Sequence, residues 1–343
     1  MELNKECVIQ KITIARLKFI NWSSHFKFFL IVFMTSLVIS CSNNEILNKA
    51  DRQNNLASVS AVTSTPLTSK PSLNGRMTDP YNSIDAKGMV VSSATVTYTP
   101  EELYISESSQ LYAIDNTTGA GYLRNADEPY VNAMASTNGF IYAAIGFPSE
   151  TRILYKINVS ATGYTDLTPG INWANTNIMA AVGGFLYLVD GSTLWKINAN
   201  TGTRSTLGAR SWDGAEAMTA LGSYVYIIDD GLLWRVSTST GVASTFGSGS
   251  WVGIPAMAAS GNYVYAVDDG DLWRVNVNTA SIETFSPGTT WNSTVAMTAL
   301  NGYVYAVDSN QLWKVNGTNG AISLLTPSGY TWAGVFIRMA ALQ

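Results

Sequence analysis

The side chains best suited to chemistry in this 343-residue chain recur at fixed intervals. Trp173, Trp212, Trp251, Trp291 and Trp332 follow one another at steps of 39, 39, 40 and 41 residues, and carboxylates at Asp190, Asp229, Asp268 and Asp308 keep the same pace. An aromatic ring beside a carboxylate suits a sugar, whose apolar C–H face stacks on the ring while its hydroxyls bond to the acid. Both rows also have a structural reading. A tryptophan repeated in every unit can be a wedge between units, and an aspartate before a tight turn can bond the turn's own backbone. Carboxylates alone, such as Asp229, Asp230 and Asp268, leave room for a hydrolase or lyase as a third reading.

Other chemistry is excluded. The single histidine, His25, and the cysteine Cys7 lie in a segment expected to be removed, and the remaining cysteine, Cys41, is claimed by that segment's processing signal. The mature chain then has no Ser-His-Asp triad, no Cys-His pair, no histidine-ligated zinc and no disulfide, and neither cofactor nor metal is expected. The formal charge of −4 becomes more acidic once the basic leader is lost, which argues against a nucleic-acid partner.

The elements that must position these residues follow from the period. In the unit Pro255 to Phe285, a small-residue strand around Met257 precedes a turn at Gly261-Asn262 and an aromatic and β-branched strand, Tyr263 to Val267. Asp269-Gly270 is a two-residue hairpin turn, so Asp268 should face Asp271, Val267 should face Leu272 and Tyr265 should face Arg274. A third strand, Leu272 to Val275, and a short outer strand, Ile282 to Phe285, complete a four-stranded propeller blade. Each inner strand type occurs six times: first strands at Met134, Met179, Met218, Met257, Met297 and Met339, second strands at Tyr104, Tyr142, Tyr187, Tyr226, Tyr265 and Tyr305. Because the sequence enters on a second strand and finishes on a first strand, the last strand should pair into the first blade and close the ring. The fold class is all-β, a six-bladed β-propeller over residues 89–343, with 89–98 a competing source for one strand.

A second tryptophan set, Trp195, Trp234, Trp273 and Trp313, falls mid-strand and reads as core, and the cation after each should lie over the tyrosine opposite. One hairpin breaks the pattern. Between Tyr142 and Lys156 the chain is 5 residues longer than in its siblings, which places Phe147, Glu150 and Arg152 on the face that carries the loop tryptophans. These three are candidates for specific contacts, or the insertion is one that a surface tolerates.

Lys5, Lys11, Arg16, Lys18 and Lys27 precede an apolar run, Phe28 to Ile39, that is short for a membrane span. Val38-Ile39-Ser40-Cys41 resembles the lipobox of bacterial lipoproteins. That resemblance implies a signal peptide over residues 1–40, lipidation of Cys41 and residence in a bacterial envelope, at the surface of the outer membrane. Residues 41–88, rich in Ser, Thr, Asn and Pro, read as a disordered tether reaching a few tens of ångströms, at roughly 5 to 6 Å times the square root of its length. Leu194-Trp195-Lys196-Ile197-Asn198 and Asn200-Thr201-Gly202, with their equivalents, resemble the repeats of tectonin-like and PQQ-like propellers over residues 103–343. Tectonin-like proteins are often lectins, so the resemblance implies glycan or extracellular-polymer binding at repeated weak sites. A protein-interaction scaffold in an envelope complex is the alternative. The chain is expected to be a monomer and not an enzyme.

Overall fold

The computed structural model describes residues 103–342 except 109, 126–129, 148–149, 160–162, 287–290, 328–329 and 335. The leader, Cys41, the tether and segment 89–98 lie outside the described residues. Those described form six four-stranded antiparallel sheets and no helix, a six-bladed propeller.

Blade 5 shows how the sequence makes the unit. Its strands are Met257–Ser260, Tyr263–Asp268, Asp271–Asn276 and Ile282–Thr284, paired in chain order. The register is Asp268 to Asp271, Val267 to Leu272 and Tyr265 to Arg274, as the turn dictates. Asp269 and Gly270 adopt φ of 49° and 78°, the two left-handed residues that match a hairpin to the strand twist. The turn into the outer strand is built by one side chain: Asn276 Oδ1 accepts the N–H groups of Asn278 and Thr279. Asn198, Asn316 and Asp115 do the same in other blades.

The glycine closing that turn is a contact between blades as well as a left-handed residue. A Cβ on Gly202 would lie 1.9 Å from the Leu167 carbonyl oxygen of the preceding blade, and one on Gly119 would lie 1.7 Å from that of Leu325. Blade 5 has Ala280 here, held at φ 59°, a conformation an L side chain adopts at a cost.

The ring closes as the strand count requires. Arg338–Ala341 pairs antiparallel with Leu103–Glu107, bringing Met339 opposite Ile105. The sheet then runs through Gln110–Ile114 to Gly121–Asn125, giving blade 1. The core is divided into six clusters, each drawn from two adjacent blades. Between blades 2 and 3, for example, Ala133, Ala135 and Tyr142 meet Met179, Leu186 and Trp173. A methionine of each innermost strand fits beside the small residues of the blade before it, so blades that differ in sequence still stack at one spacing.

Two sequence readings change here. Lys156, Lys196, Arg235, Arg274 and Lys314 do pair in register with the second-strand tyrosines. Their charges, however, sit closest over the aromatic two residues earlier, on Phe140, Phe185, Tyr224, Tyr263 and Tyr303 at 3.9 to 4.7 Å, and Lys314 alone also lies over its opposite Tyr305, at 5.7 Å. The opposite tyrosines are buried, while the earlier ring lies nearer water, where a long cationic side chain keeps its head solvated. The mid-strand tryptophans are half-buried flanks of the core rather than its centre. Trp195, Trp234 and Trp313 each meet a loop tryptophan edge to face.

Candidate functional site

The incoming loops and the hairpins between second and third strands share one face, and the backbone bonds show how. Each loop tryptophan donates its N–H to the hairpin carbonyl of the blade before it: Trp173 to Arg152, Trp212 to Ser192, Trp251 to Gly231, Trp291 to Gly270 and Trp332 to Asn310, at 2.8 to 3.0 Å. These tryptophans are 0–2% exposed. A ring in that position presents no face to a ligand, so the reading of Trp173, Trp212, Trp251, Trp291 and Trp332 as stacking platforms is corrected to wedges between blades. Burial is favoured because each indole fills the gap that opens between neighbouring sheets as they splay outward.

The carboxylate row is likewise occupied internally. Asp190 Oδ1 accepts Asn175 N–H and the Thr176 hydroxyl, and Asp308 Oδ1 accepts Ser293 N–H and the Thr294 hydroxyl. Asp268 accepts Val252 N–H at 3.4 Å, and Glu107 fills the same role for Gly334 in blade 1. Burial raises the Asp268 pKa, and the Val252 N–H partly offsets it. Asp229 departs from the pattern, bonding Arg210 while 1% exposed. These acids latch loops to blades.

The inserted hairpin is where the face becomes irregular. Phe147 is 44% exposed. Its ring stands edge-on to Tyr130 at 5.1 Å, and Tyr130 in turn lies 4.9 Å from Phe336. Tyr130 enters blade 2 and Phe336 enters the closing strand, so three aromatics from three segments converge. Phe336 is held at φ 56°, an outlier for a bulky residue. Glu150 is exposed, its N–H closing a turn onto the Phe147 carbonyl.

Arg152 turns inward at the base of the insertion. It is 7% exposed, and its Nη1 donates to the Thr176 carbonyl at 2.7 Å and to Asn177 Oδ1 at 3.1 Å, tying blade 2 to blade 3. Arg338 makes the corresponding tie from blade 1 to blade 2: its Nε donates to the Asn132 carbonyl at 2.6 Å. Asn132, itself buried, donates to the carbonyls of Tyr130 and Gly146 and fixes the base of the insertion. Burial lowers the pKa of both arginines; the Arg152 charge lowers that of Arg338 further, whereas Asp190 partly restores that of Arg152.

Phe336, Arg338 and Asn132 escaped the sequence reading. A signal existed for Arg338, which stands immediately before Met339 where the other five blades have Ala133, Ile178, Ala217, Ala256 and Ala296.

Elsewhere, a cavity of about 440 Å³ runs along the innermost strands, lined by the six methionines with small and hydroxyl-bearing neighbours. Open grooves of about 520 and 490 Å³ lie at the junctions of blades 2 with 3 and 3 with 4. Both have polar walls of one design, a lysine over a phenylalanine with an asparagine and threonines. Among the described residues no three His, Cys, Asp or Glu side chains are grouped to hold a metal ion.

No family model matches the chain, and no curated protein matches it. Among solved structures it is similar to a chain in the crystal structure of a nidogen/laminin complex, at 8% identity and a TM-score of 0.57, over 71% of this chain and 98% of that one. At that identity the likeness is one of fold, and the fold is a six-bladed β-propeller.

Proposed function

We propose that this chain is a non-catalytic binding propeller, tethered to a bacterial envelope through Cys41, that engages a protein partner through the loop face where blades 1, 2 and 3 meet. The observation that carries this reading is Phe147, an exposed aromatic edge-on to Tyr130, which in turn packs on Phe336, next in the chain to a Gly146 that abuts Arg152, at the one place among the described blades where a second-to-third-strand hairpin is lengthened. A few aromatic and arginine side chains dominate the energetics of protein interfaces. The solved neighbour comes from a protein–protein complex, which is compatible with this use of the fold. The test is a photo-crosslinker at position 147 in intact cells, with the same group at exposed Val242 as control. One stoichiometric adduct formed only from position 147 supports the proposal; equal labelling from both positions removes it. Lipidation is tested separately, by incorporation of labelled palmitate that Cys41→Ala must abolish.

The inter-blade grooves favour a second reading, glycan binding. Lys156, Asn158, Thr165, Asp166, Asn200 and Thr201 line one, with Lys196, Asn198, Thr203 and Thr240 in the next. Repeated polar walls of this kind suit weak, multivalent capture of a polymer. A saturable change in tryptophan fluorescence on titration with polysaccharides, lost in Asn200→Ala with Thr201→Val, would move the function to these grooves.

A further inference from the structure

The loop face holds a pair of cations that no acid among the described residues neutralises by contact. Arg152 bonds through Nη1 to two neutral oxygens, of Thr176 and Asn177, and its buried Nε has no partner. Arg338 bonds to the neutral carbonyls of Asn132 and Ile337. Asp190 acts on Arg152 through its field alone, since its Oδ1 is held by Asn175 and Thr176. The contrast lies in the acid and not in Nε, which is unpartnered in Arg210 as well: Arg210 pairs directly with Asp229, and Arg274 with Glu283. The two border one hairpin base: Asn132, whose carbonyl holds Arg338, bonds the Gly146 carbonyl, and a Cβ on Gly146 would lie 3.0 Å from Arg152 Cγ. A buried and a half-buried guanidinium placed so are costly unless an anion shares the site.

A guanidinium fork matches the two oxygens of a carboxylate. What carries the carboxylate follows from the surroundings, where half-exposed Phe147, backed by Tyr130 and Phe336, offers the aromatic surface on which an apolar side chain packs. We propose that Arg152 and Arg338 receive a carboxylate from an acidic segment of a partner protein, with an apolar neighbour of that acid seated on Phe147. This rests on the loop-face reading above and names the chemistry its partner must bring.

The test titrates the full-length protein, in detergent, with fluorescent poly-L-glutamate, with neutral polyglutamine and with polygalacturonate as an acidic glycan, reading anisotropy. Polyglutamate is expected to bind saturably and to weaken with salt, and polyglutamine is not expected to bind. Arg338→Gln should cut polyglutamate affinity at least tenfold and Arg338→Lys far less, with circular dichroism confirming the fold. Should the variant fail to fold, the unaltered protein is treated with phenylglyoxal and read by mass spectrometry: protection of Arg338 by polyglutamate supports the site, and equal modification with and without the polymer overturns it. Binding of polygalacturonate but not polyglutamate overturns the proposal in favour of an acidic glycan, and affinity unchanged in Arg338→Gln overturns it outright. Absence of polymer binding while crosslinking from position 147 persists overturns this inference alone; absence of both overturns the function as well.

Discussion

Blades 3 to 6 and the junction of blades 1 and 2 are made from the same unit and use it differently. In the regular blades the repeated groups serve packing: tryptophans wedge, aspartates latch, and turn glycines, save at Ala280 in blade 5, admit the neighbouring blade. At the irregular junction a tyrosine stands where the tryptophan would be, the hairpin is longer, and an arginine replaces a small residue on the closing strand. Repetition here serves the ring; departure from it adds two arginine ties between blades and leaves Phe147 facing water.

Four measurements bear on that contrast. The largest effect should come from Trp212→Ala in the regular part, a loss of about 3–5 kcal/mol read by chemical denaturation, whereas Phe147→Ala should change stability by no more than about 0.5 kcal/mol while reducing partner capture. A Trp212→Ala protein as stable as the parent would remove the wedge. Next is alkaline pH. Burial lifts Tyr142 and Tyr305 to about 12 from 10.0 and raises Tyr187, Tyr226 and Tyr265. A folded pKa raised above its unfolded value contributes stability that is complete below pH 10 and lost as pH climbs toward 12. Thermal midpoints should therefore fall over that window as phenolate absorbance rises, and a flat profile would mean the rings are not sealed between blades. Asp308→Ala should cost about 1–3 kcal/mol by leaving Ser293 N–H without its acceptor and the Thr294 hydroxyl with the Trp291 carbonyl alone; an unchanged midpoint would return that carboxylate to the candidates for ligand binding. The smallest is a gain. Ala280→Gly restores the residue other blades use at φ near 70° and should stabilise by about 1 kcal/mol.

How much of this the sequence declares depends on what a period can encode. Spacing reveals which residues recur and therefore the blade count, the turns and the Tyr265–Arg274 register, all of which follow from two-residue turns and alternation. It does not reveal depth: Trp212 reads equally as a platform or a wedge until the preceding hairpin is placed above it. Nor does it reveal convergence. Tyr130, Phe147 and Phe336 are far apart in the chain, and only ring closure unites the last with the other two. Phe147 was legible because an insertion is visible as a length difference, and Arg338 was not, because a single substitution in a strand looks like noise.

Ring closure also sets an order on synthesis. Leu103–Glu107 is made early, whereas its native partner strand Arg338–Ala341 is made last of the described strands, at about 5–20 residues per second. Because Arg338 belongs to that final strand, the cationic pair comes into being only when the last blade joins the first. A chain cut short before residue 338 therefore lacks both its seal and half of its proposed anion receptor.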